Sequence, residues 1–104
     1  MYTVPDSLMQ TILEVYSPRR VLLFGSRARG DSGLDSDIDL VVVLDDDVPS
    51  AVLSWRHRNA ARRGYTGSVD IIPCREGVLR ERALAAGSFA DTIMREGVVV
   101  YERH

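Results

Sequence analysis

Three aspartates and a Gly-Ser pair carry the reactive potential of this 104-residue chain. Asp37 and Asp39 stand at i and i+2 at the head of the apolar run Ile38–Leu44, so on a strand their carboxylates share one face. Two like charges held that close require a cation between them. A hard divalent ion with oxygen ligands answers best, and beside phosphates that ion is Mg²⁺. Asp70 lies inside a second apolar run, Ser68-Val69-Asp70-Ile71-Ile72, where an acid is costly unless paired or metal-bound. Asp37, Asp39 and Asp70 are therefore expected to meet on adjacent strands as a metal-binding set. Upstream, the apolar run Val21–Phe24 stops at Gly25-Ser26. A strand–Gly–Ser–helix turn presents backbone N–H groups and a hydroxyl, as a phosphate site requires. Arg27 and Arg29 add charge-assisted donors. Gly25 to Gly30 has the glycine spacing of a P-loop but lacks the Lys-Ser/Thr that follows it.

Taken singly, each feature has a plain reading: an ordinary turn, solvated charges, a polar strand end. Together they match a known signature. Gly25-Ser26, ten intervening residues and Asp37-Ile38-Asp39 resemble the GS-x10-DxD pattern of the DNA polymerase beta nucleotidyltransferase superfamily. Within it the chain most resembles the minimal nucleotidyltransferase (MNT) domains, whose typical ending appears as Glu96-Gly97-Val98-Val99-Val100-Tyr101. The resemblance implies transfer of a nucleotidyl group from ATP or another nucleoside triphosphate to a hydroxyl, with two Mg²⁺ ions held by Asp37, Asp39 and Asp70. It implies that Gly25 and Ser26 bind the β- and γ-phosphates, with Arg29 and Arg27 nearby, and that Asp70 takes the acceptor's proton. MNT domains are commonly paired with HEPN-domain toxins, so it further implies an antitoxin that adenylylates a tyrosine of such a partner. Two other readings compete: a non-catalytic module that neutralises a partner by occlusion, and a small-molecule nucleotidyltransferase of the aminoglycoside-modifying kind.

These residues need a scaffold, and the pattern around them describes one. Pro5–Tyr16 has helical spacing, with Leu8, Ile12, Val15 and Tyr16 inward and a Ser7/Gln10 capping box. Strands are expected at Val21–Phe24, Ile38–Leu44, Ser68–Pro73 and Val98–Tyr101. Ile38–Leu44 is apolar on both faces, as a central strand is. Asp45-Asp46-Asp47 precedes a helix predicted over Val48–Arg63, where an acidic run favours the N-terminal dipole. On that helix Val52, Trp55 and Asn59 share a face, and Arg56, Arg58, Arg62 and Arg63 make the rest basic; His57 is a possible acid or base. Helices follow over Glu76–Ala86, with Leu79, Ala83 and Ala86 inward, and Phe89–Arg95, which Gly97 ends as a C-cap. The expected fold is α/β (α+β): one nucleotidyltransferase domain spanning residues 1–104, with a small mixed sheet of about four strands flanked by helices.

Composition limits the partners. A net charge of −2 leaves no general basic footprint, so direct nucleic-acid binding is not expected. No stretch approaches the ~20 apolar residues of a membrane span, and the N-terminus has no signal-peptide pattern. The single cysteine, Cys74, fits a reducing cytoplasm and reads as core filler rather than nucleophile.

Overall fold

The structure, a computed structural model, describes residues 4–25 and 38–103. Ser26, Arg27, Arg29 and Asp37 lie outside the described residues, as does the short helix expected after Ser26. Helix α1 (Asp6–Tyr16) leads into β1 (Arg20–Phe24) and β2 (Ile38–Leu44). A crossover containing α2 (Trp55–Ala61) leads to β3 (Val69–Arg75), followed by α3 (Glu76–Arg82), α4 (Phe89–Glu96) and β4 (Val98–Glu102). The four strands form one mixed sheet in the order β3-β2-β1-β4, with β2–β3 parallel and the other two pairings antiparallel.

Alternation along the strands divides the core into two layers. Val21, Leu23, Ile38, Leu40, Val42, Val69 and Ile71 face α1 and α2, meeting Leu8, Ile12, Tyr16 and Ala61. Leu22, Val41 and Val43 face the other way, onto Leu79 of α3 and Ala90 and Ile93 of α4. β2 is buried at every position but Asp39, as its unbroken apolar run requires. Each fully buried side chain of this size contributes about 1.5–3 kcal/mol.

Several local expectations give way to tertiary contacts. The Ser7/Gln10 capping box does not form, because α1 starts at Asp6 and Ser7 already lies within its first turn. Ser7 Oγ instead donates to Gly64 O at 2.6 Å, tying α1 to the end of the crossover. The predicted helix over Val48–Arg63 is three pieces: a 3₁₀ turn at Ser50–Leu53, α2, and a second 3₁₀ turn at Arg62–Gly64. Ser54, extended at ψ 161°, interrupts it and resets the helical phase. Trp55 is consequently 63% exposed. Helix α3 stops at Arg82, short of Ala86, which is exposed. Gly97 ends α4 without a left-handed cap, at φ −67° and ψ 144°. Glycine is needed there because a Cβ would come within 2.6 Å of Ile93 O.

Charges lock the sheet end where β2 finishes. Glu76 accepts from Arg19 Nε at 2.6 Å, Arg20 Nη2 at 2.5 Å and Arg80 Nη2 at 2.9 Å. Arg103 at 2.8 Å and Arg19 at 3.1 Å donate to Asp45, and these bonds hold its carboxyl below the ordinary range. The acidic run therefore does not serve the helix after it: Asp45 pairs with arginines, and Asp46 accepts the Gly77 N–H of α3 at 2.8 Å. Arg19 and Arg20 are structural partners here.

Candidate functional site

The opposite end of the sheet holds the carboxylates. Asp39 is the second residue of β2 and Asp70 the second of β3, and the parallel register places them side by side. Neighbouring strands lie about 4.8 Å apart, so the two side chains leave adjacent backbones. Ile38 and Leu40 point to the α1 layer, as do Val69 and Ile71. By alternation Asp39 and Asp70 point to the other face, the one that carries Val41 and Ile72. Asp39 is half-buried and Asp70 exposed. The expectation that Asp70 is an acid inside a buried strand is thus corrected: it lies at the strand's open end, where solvent and ligands reach it.

Gly25 closes the third side. It follows β1, whose last residue Phe24 pairs with Asp39. Its φ of +83° lies in the left-handed region that L side chains rarely adopt. A Cβ on Gly25 would stand 2.6 Å from Asp39 Oδ2. The missing side chain is what lets the Asp39 carboxylate lie against this turn. The structure thus brings together Gly25, Asp39 and Asp70 of the predicted site residues. Among the described residues no group of three His, Cys, Asp or Glu side chains comes together to hold a metal. Two adjacent hard oxygen donors are nevertheless the right chemistry for a divalent ion.

Other candidates lie elsewhere. His57 is in the α1–α2 layer, with Nδ1 3.3 Å from Ser54 Oγ and its ring 6.3 Å from that of Tyr16. It belongs to the opposite face of the sheet from the carboxylates, so it is not their acid or base. Arg56, Arg58, Arg62 and Arg63 are exposed in that same layer, and the Arg56 guanidinium lies 5.9 Å from the Trp55 ring. Burial pushes the Cys74 thiol up to about 11, against a smaller opposing pull from Arg82. Cys74 is therefore expected to stay a thiol at neutral pH and to react with a thiol-directed disulfide reagent at pH 7.5 much more slowly than free cysteine, until denaturant is added.

One feature escapes a reading based on motifs. Phe24 meets Phe89 of α4 edge-on, with ring centroids 5.5 Å apart and planes at 79°. Phe89 nonetheless remains 58% exposed. Beside this pair an apolar groove of about 360 Å³ lies between the sheet and helices α3 and α4. The alternation that turns Phe24, Val41 and Ile72 to one face was available in the sequence. The separation of α3 from α4 was not.

A small mixed sheet with a Gly turn and paired strand-end carboxylates on one open face defines the nucleotidyltransferase class. The chain belongs to the nucleotidyltransferase domain family, whose profile matches residues 7–100. No curated protein matches the sequence. Several solved structures share the fold. A toxin–antitoxin with AMP-PNP is 19% identical, with 97% of this chain and 76% of that chain covered at a TM-score of 0.61. A mutant of the toxin–antitoxin MntA-HpeT is 16% identical, with 97% and 75% covered and a TM-score of 0.58. A putative nucleotidyltransferase from Sulfolobus solfataricus is 24% identical, with 94% and 86% covered and a TM-score of 0.55. Among the described residues no helix is long and apolar enough to cross a membrane.

Proposed function

We propose that this nucleotidyltransferase moves AMP from ATP to a hydroxyl, a tyrosine on a HEPN-type toxin partner, and so acts as an antitoxin of the MNT kind in the cytoplasm. The observation that carries the transfer is the register pairing of Asp39 with Asp70 on one open face beside Gly25. The likeness of the fold to toxin–antitoxin structures supports the choice of partner.

In this reading Gly25 and Ser26 cradle the β- and γ-phosphates, and Arg27 and Arg29 contact them. Nucleotidyltransferase domains generally use divalent metals. Here Asp37, Asp39 and Asp70 would hold Mg²⁺, two ions in all, supplying charge stabilisation at the triphosphate. The acceptor oxygen attacks the α-phosphorus and a P–O bond forms. The α–β phosphoanhydride bond breaks, and pyrophosphate leaves with its electron pair. Asp70, exposed at the strand end, takes the hydroxyl proton.

The test is incubation of the full chain with α-labelled ATP, Mg²⁺ and the protein encoded by the neighbouring gene. Label is expected on a tyrosine of that protein, and chelation of divalent ions should abolish it. Absence of label from every hydroxyl acceptor in the complete mixture would reject the reading.

A further inference from the structure

The apolar groove and the carboxylates form one continuous surface. Val41 and Ile72, on its floor, each lie two residues along the strand from Asp39 and Asp70, on the same face. That spacing is about 6.6 Å. Val78 of α3 and Phe89 and Ile93 of α4 form the walls, and the contact between Phe89 and Phe24 carries the apolar wall to the strand neighbour of Asp39. Among the described residues the exposed large apolar side chains, Trp55 apart, belong to this layer or its margin. Among the described residues the charge in the lining is Arg82, and no carboxylate lines the groove. Its guanidinium forms no ion pair among the described residues, whereas Arg80 and Arg95 are each held by an acid on their own helix.

Resting on the transfer reading above, we propose that this groove seats the acceptor-bearing segment of the partner polypeptide. Apolar side chains of that segment lie on Ile72 and against the exposed Val78 and Phe89, one of its carboxylates pairs with Arg82, and its hydroxyl is presented to Asp39 and Asp70. Exposed apolar surface rimmed by charge is characteristic of protein docking. The same lining argues against an aminoglycoside acceptor. A polycation needs carboxylates around it, and among the described residues this groove offers apolar walls and an arginine.

The experiment measures affinity of the full chain for the protein encoded by the neighbouring gene by calorimetry, and label transfer to it in parallel. Val78→Asp and Arg82→Glu are each expected to weaken binding about tenfold or more, and Arg82→Lys to restore most of it. In transfer, the loss should appear in KM for the partner rather than in kcat. Arg82 is exposed, so its variants report even if Val78→Asp fails to fold. Unchanged affinity in Arg82→Glu and in a folded Val78→Asp overturns the docking site, even where label still moves. So does a partner that does not bind, wild-type transfer to an aminoglycoside, or a homodimer that these substitutions dissociate. If the partner binds through the groove but takes no label, the transfer reading falls and the docking site stands.

Discussion

Asp39→Asn is expected to lower nucleotidyl transfer by about 10³-fold or more, and Asp70→Asn by a comparable factor. A metal clamp supplies several kcal/mol of transition-state stabilisation, and each 1.36 kcal/mol is a factor of ten in rate. Asparagine keeps the shape of the side chain and removes the charge that would hold the ion. Stability should move the other way. Asp39 and Asp70 are register partners on adjacent strands, and like charges placed directly opposite destabilise a sheet. Neutralising the exposed Asp70 is expected to leave Tm unchanged or slightly raised in metal-free buffer. Label transfer and thermal unfolding on the same preparations separate the two effects. Transfer within about tenfold of wild type in both variants would remove these residues from the machinery.

Gly25→Ala is the second large effect, and it couples stability to the site. Alanine at φ +83° carries a left-handed penalty of about 1–2 kcal/mol. For a domain of this size that lowers Tm by roughly 5–15 °C. Its Cβ would also stand 2.6 Å from Asp39 Oδ2, so the carboxylate must turn away from the turn. A displacement on that scale costs about 10²-fold in rate. Gly87→Ala is the control. Gly87 has the same conformation, φ +82°, but a Cβ there meets nothing within 4 Å. It should pay the conformational cost alone and keep transfer intact. Equal loss of transfer in both variants would show that the Gly25 effect is general destabilisation and not displacement of Asp39.

Much of the frame was legible because it rests on local patterns. The apolar run of β2 set its limits at Ile38 and Leu44, where the structure has them. Helix α1 followed from the spacing of Leu8, Ile12 and Tyr16. Where local signals were ambiguous, contacts between distant residues decided. Val48–Arg63 has helical composition throughout. Yet Ser54 adopts an extended conformation, and the chain must return to α1, where Thr11 donates to Ala61 O and Ser7 to Gly64 O. The acidic run Asp45–Asp47 could serve any nearby donor; Arg19 and Arg103, distant in sequence, claimed Asp45.

The division is the same for the site. Residue types and a fixed spacing singled out Gly25, Ser26, Asp37 and Asp39 as candidates, and Asp70 stood out as an acid within an apolar run, because a phosphate turn and a metal each need particular donors. Only the tertiary structure paired Asp39 with Asp70, 31 residues apart, since register between strands is set by the packing of both faces and not by either strand alone. Only it turned both toward α3 and α4, and left beside them an apolar groove lined by Arg82. Two short helices do not cover the whole of that sheet face, and how they part is decided by what each packs against.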